Sequence, residues 1–168
     1  MNPTWQSLLA LVRSYLVLVA LTLAPAQAEV FSLKFERLNG ALAMLSSTDR
    51  QTVDNAIALI KQGDHNLALI EPNSVARTNP SSAGVRVLTA YALLNLGNTL
   101  GAFKEAQTAE SVGHDSYICS FLGRMAYLVG DVRACKREIK HVKAAGDPDG
   151  EAAALEKALS GKGRKVAQ

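Results

Sequence analysis

The sequence predicts an all-α chain, a right-handed solenoid of stacked antiparallel helical hairpins, on three observations. Gly63, Gly97 and Gly130 recur at nearly equal intervals, and each closes an apolar, helix-like stretch. Each is followed by an N-capping side chain, Asp64, Asn98 or Asp131, so that one dipeptide stops a helix and starts the next. Hydrophobic content is 48% with aromatics at only 5%, a balance of Ala, Leu and Val that suits close-packed helices, and no sustained strand-like alternation follows Ala28. A period of about 34 residues marks a supersecondary unit that cannot bury its own apolar face, so neighbouring units must stack.

Residues 1–28 read as a secretory signal. Met1 to Arg13 supplies a positive end, Ser14 to Ala24 an apolar run, and Ala26-Gln27-Ala28 the small-x-small pattern that places cleavage after Ala28. The competing reading is a retained membrane anchor, since Leu8 to Leu23 is mostly apolar, but Arg13 interrupts it. No cysteine follows the apolar run to carry a lipid. Export to a periplasm or the outside is therefore expected, with membrane contact only through the signal before cleavage. The remainder, 29–168, has the size of one domain. The signal holds one basic and no acidic residue, so cleavage lowers the net charge from +3 to +2, too little for a nucleic-acid binder.

With each marker glycine as the fifteenth position, three units span 49–82, 83–116 and 116–149. Position 8 is Ala56, Ala90 and Gly123, and position 20 is Ala68, Ala102 and Cys135. All are small, which lets the two backbones of a hairpin approach where the helices cross; bulk there would wedge it open. Leu59, Leu93 and Ala126 at position 11, with Val75, Ala109 and Val142 at position 27, continue the apolar inner faces. Asn79-Pro80 ends the first hairpin.

These features resemble the tetratricopeptide repeat family, in about three divergent copies over residues 49–149: small residues at 8 and 20, glycine at 15, apolar residues at 27 and Pro80 at 32. The family's bulky residue at position 4 is replaced by Thr52, Arg86 and Cys119, and its aromatic at position 24 by Pro72, Ala106 and Ile139. Proline inside a helix removes a hydrogen bond and costs roughly 3 kcal/mol. A kink at Glu71-Pro72 and lower order through Arg77 are expected. Residues 29–48 are expected to form a leading helix, with Phe31, Phe35, Leu38, Leu42 and Leu45 on one stripe and caps in Ser47-Thr48-Asp49. Residues 150–160 follow Asp147-Pro148-Asp149 as a capping helix, and the basic stretch 161–168 as a disordered, solvated tail.

Catalytic chemistry is expected to be absent. His65, His114 and His141 fall in an inter-helix turn, a connection and an outer helix, positions with no expected convergence, and His114-Asp115 reads as a turn and cap. No nucleophile elbow, phosphate loop or zinc-spaced Cys/His set is present, so neither metal nor cofactor is expected. Cys119 and Cys135, at positions 4 and 20 of the third unit, are either a disulfide or two buried reduced thiols, Cys119 lying nearest Ile139. Arg133, Lys136, Arg137, Lys140 and Lys143 read as a solvated helix face, with an acidic-partner patch as the alternative.

The resemblance implies a groove lined by positions 5, 9 and 12, which in that family receives a peptide. Here these are Val53, Ile57 and Ile60; Val87, Tyr91 and Leu94; and Ser120, Arg124 and Tyr127. Arg124 is the residue suited to a ligand carboxylate. Ile60 and Leu94 serve equally well as packing for the flanking helices. The expected function is an exported, non-enzymatic scaffold binding a peptide or protein segment. A solenoid that associates with copies of itself is the alternative, and a thiol-dependent enzyme at Cys119 and Cys135 the third reading.

Overall fold

The structure, a computed structural model, describes residues 33–165. The signal segment and Phe31 lie outside the described residues. By compactness the chain divides after Leu33, and every helix described belongs to the unit that begins at Lys34. That unit contains α1 (Ser47–Gln62), α2 (His65–Thr78), α3 (Ala83–Asn95), α4 (Thr99–Val112), α5 (Ser116–Val129), α6 (Val132–Ala144) and α7 (Glu151–Lys165). Among the described residues there is no strand. Each helix packs on the next in sequence, and α1 also meets α3, α3 meets α5 and α5 meets α7.

The repeat pattern reappears in the backbone. Gly63, Gly97 and Gly130 take φ of 83°, 80° and 79°, the left-handed conformation that a side chain would strain. Asp64, Asn98 and Asp131 then accept hydrogen bonds from the N–H groups of Leu67, Gly101 and Ala134. The small residues Ala56, Ala90, Gly123, Ala68, Ala102 and Cys135 are all buried. At Gly123 the fit is close: a Cβ there would lie 3.0 Å from Leu155 Cδ1 and 3.2 Å from Glu138 Cβ. A side chain at that point would separate α5 from both α6 and α7.

Four expectations are corrected. Pro72 does not break its helix; α2 runs unbroken from His65 to Thr78 with Pro72 buried inside it. Its ring is buried, an apolar gain that recovers part of the cost of the missing hydrogen bond to the Ala68 carbonyl. The leading helix is replaced, from Lys34 onward, by two 3₁₀ turns, Phe35–Leu38 and Gly40–Leu42. Asn39-Gly40 falls in the middle of that segment, where glycine disfavours an α-helix by about 1 kcal/mol. The chain instead lies flat on α3, burying Leu38 and Leu42 completely. The third correction concerns the C-terminus, where α7 continues to Lys165, past the expected end at residue 160. At the start of α1 the capping side chain is Ser46, one residue before the expected group, accepting from Asp49 N–H.

Two further features anchor the ends. Ser82 Oγ donates to the Ala41 carbonyl at 3.4 Å, and Arg50 donates to Asn39 at 3.0 Å. At the other end Asp147, at φ 46°, accepts from the N–H groups of Ala152 and Ala153 and so begins α7.

Candidate functional site

The residues expected to line a groove fall on one face of α1, α3 and α5, and much of that face is covered by the chain itself. Val53, Ile60, Val87, Ser120 and Arg124 are buried; Ile57, Tyr91, Leu94 and Tyr127 are half-buried. Ser120 Oγ donates to the Tyr117 carbonyl at 2.8 Å, a local bond that leaves its hydroxyl turned inward.

What covers the face is the segment from Lys34 to Leu45. The Lys34 backbone N–H donates to the Tyr117 hydroxyl of α5 at 2.7 Å. The Phe35 ring meets the Tyr91 ring of α3 edge-on at 6.5 Å, and the Lys61 ammonium of α1 lies 5.3 Å above Phe35. Two adjacent residues thus touch all three helices. Further along, Leu42 sits where a Cβ on Gly84 would stand 2.7 Å from its Cδ2.

Charge closes the same segment onto the start of α7. Lys34 Nζ lies 3.5 Å from Asp149 and 3.3 Å from Glu151, and Arg37 lies 3.1 Å from Asp149. Arg124, which is only 3% exposed, stands 3.6 Å from the Glu151 carboxylate and between the rings of Tyr117 and Phe121. The carboxylate it was expected to take from a ligand is therefore supplied by its own chain. Tyr117 responds to this setting: burial raises its phenol above the ordinary value of 10.0, with the nearby Arg124 guanidinium acting in the opposite direction.

A second cluster lies where α4 ends, α5 begins and α6 ends. His114 Nδ1 is 2.6 Å from Glu110 Oε1, and Cys119 Sγ is 3.7 Å from His114 Nδ1. The His114 and His141 rings meet edge-on at 5.0 Å. His141 Nδ1 is 3.3 Å from Glu138, a fully buried carboxylate that also accepts from Arg137 at 2.8 Å. Two of the three histidines thus converge, contrary to the expectation. The antiparallel return of α6 carries His141 back beside the connection that holds His114. His114 and His141 share no local sequence spacing; Glu110 and His114, four positions apart at a helix end, were the legible half. His65 lies elsewhere, in the first turn of α2. Asp115 acts as the expected cap, accepting from Tyr117 and Ile118.

Cys119 and Cys135 are both buried, and no disulfide joins them. Cys119 faces His114 and Glu138. Burial pushes its thiol up to about 12, and the carboxylates of Glu138, Glu110 and Asp115 add to the rise. A thiol so protonated is a poor nucleophile near neutrality. The basic residues of α6 are exposed, with Lys143 bonded to Glu156 at 2.7 Å.

No helix among the described residues is long and apolar enough to cross a membrane. Comparison with protein-family models and with curated proteins finds no match to this sequence.

Proposed function

We propose that this chain is an exported, non-enzymatic scaffold of tetratricopeptide type. In this reading its hairpins stack as a right-handed solenoid, and the face of α1, α3 and α5 takes up a protein segment, with residues 34–45 covering the face when no partner is bound. The observation that carries the reading is the seating of Lys34 and Phe35 on Tyr117, Tyr91 and Lys61. A backbone N–H caught by a tyrosine hydroxyl, an aromatic side chain against an aromatic ring and two buried leucines make up a mode of grip that an incoming segment could reproduce. A partner would have to displace the covering segment, so its affinity is reduced by the free energy that holds residues 34–45 in place. Removal of residues 1–28 on export is part of the same proposal.

The test is capture of partners from an envelope extract by the mature chain, compared with Tyr91→Ala and with Gly84→Val. Tyr91→Ala is expected to lose capture at unchanged helicity, and Gly84→Val, which loosens the covering segment, to increase it. Equal capture by all three proteins rules out this face.

Self-association is the second reading. Leu67, Leu100 and Val132 are 50%, 59% and 46% exposed, and each lies in the first turn of the second helix of its hairpin, so all three stand at one end of the hairpins. Light scattering at rising concentration distinguishes this reading: a monomer that stays monomeric removes it.

A further inference from the structure

We propose that Glu110, His114, Cys119 and His141 form a binding site for a zinc ion, a function separate from partner capture. One donor atom from each lies within 4.8 Å of all the others. In a tetrahedral zinc site with bonds near 2.0–2.3 Å, neighbouring donors stand roughly 3.3–3.6 Å apart. The gap to be closed is therefore about 1 Å, which small side-chain rotations supply, and the 2.6 Å contact between Glu110 and His114 opens slightly to admit the ion.

The donor set selects the class of metal. A thiolate and two imidazoles suit zinc and its borderline-soft neighbours, whereas calcium and magnesium require oxygen ligands in larger number. The surroundings select for a dication: Glu110, Asp115 and Glu138 all bear on Cys119, while Arg137 is the cation bonded to Glu138. On binding, the Cys119 thiol loses its proton to solvent and the sulfur becomes a ligand.

The outer contacts fit as well. Glu138, with no exposed side-chain surface, lies 3.3 Å from His141 Nδ1. That bond would hold the ring by Nδ1 and leave Nε2 as the metal donor, the carboxylate–histidine arrangement that orients metal-bound imidazoles. Entry is open, because the His114 side chain is 57% exposed and borders a cleft of about 550 Å³ with Gly113 and Asp115. An ion at this point would join the end of α4, the start of α5 and the end of α6, pinning the second hairpin to the third.

The experiment uses the reduced mature chain, stripped with chelator and titrated with Co²⁺, which then competes against Zn²⁺. A single equivalent of Co²⁺ is expected to give tetrahedral visible bands with a thiolate charge-transfer band, and Zn²⁺ to erase them and raise the melting temperature. Cys119→Ser should remove the charge-transfer band, and His114→Ala should weaken binding at least tenfold while keeping the far-ultraviolet circular dichroism. His65→Ala should change nothing. A wild-type chain without these bands overturns the site, as does a His114→Ala chain of unaltered affinity; this exposed position decides the matter even if Cys119→Ser fails to fold.

Discussion

Arg86 Nη1 on α3 lies 3.1 Å from Glu105 Oε2 on α4, and one repeat later the same two registers hold Cys119 and Glu138. Glu71, Glu105 and Glu138 follow one another at the same intervals as the marker glycines. A polar contact inside the hairpin thus occupies the place where the resembled family packs bulk. Arg86 and Glu105 are 22% and 27% exposed, so neither is fully solvated once its partner is gone. Glu105→Ala is expected to destabilise the chain by about 1–3 kcal/mol, whereas the double change Arg86→Met with Glu105→Leu restores most of the loss. Urea unfolding of the wild type, Arg86→Met, Glu105→Leu and the double variant, read as a double-mutant cycle, checks the coupling; additive effects would show that the pair is not coupled.

Pro72 offers a stabilising change. Restoring an N–H to the middle of α2 recovers up to roughly 3 kcal/mol, while shortening the buried ring to a methyl forfeits about 0.8 kcal/mol for each methylene lost. The backbone gain exceeds the packing loss. Pro72→Ala is therefore expected to raise stability by about 1 kcal/mol, seen as a higher urea midpoint at constant slope. A lower midpoint would mean that the ring's packing outweighs the missing bond.

The covering segment depends on the absence of a side chain at Gly84. A Cβ there meets Leu42 Cγ at 2.8 Å and the Ala41 carbonyl carbon at 3.2 Å, so Leu42 must turn aside and the backbone behind it must yield. Gly84→Val should cost about 1–3 kcal/mol and speed hydrogen exchange across residues 34–45 without affecting α5 or α6. Exchange that rises uniformly along the chain would indicate global destabilisation instead.

Tyr117 makes stability depend on alkaline pH. Its phenol is held above 10.0 in the folded chain, mainly by burial, so between the unfolded and folded values the unfolded chain has lost a proton that the folded chain keeps. Stability is full below pH 10 and declines above it, by at most about 1.4 kcal/mol per pH unit for one group. Tyr117→Phe should flatten that decline and remove the hydroxyl that accepts from Lys34, at a cost of about 1 kcal/mol near neutrality. Parallel wild-type and variant slopes above pH 10 would count against a buried phenol.

The helices and their caps were legible because they are local: glycine followed by Asp or Asn determines its own turn, and the small residues at positions 8 and 20 recur within one period. The segment before Ser46 was not. Its leucines and phenylalanines repeat at a helical spacing, but the partners of Leu42, Phe35 and Lys34 are Gly84, Tyr91 and Tyr117, far along the chain, and no pattern within the segment points to them. Val53, Val87 and Arg124 were read as open but are buried, Arg124 beside Glu151 from far along the chain. His114 and His141 were separated for a related reason. Their meeting depends on the register between α5 and α6, where Cys119 faces Glu138 and His141 lies one turn beyond.

Lys34 and Arg37 reach Asp149 and Glu151 across most of the length of the chain, whereas every helix finds its main neighbour next in sequence. Local pairings form quickly and distant ones late. The hairpins can therefore assemble first, and residues 34–45 can be clasped from the far end only after α7 has been made. During synthesis the covering segment lacks its ion pairs to Asp149 and Glu151 until the last stretch of the chain arrives. A newly made copy thus lacks that clasp at the time when it first meets whatever surrounds the growing chain.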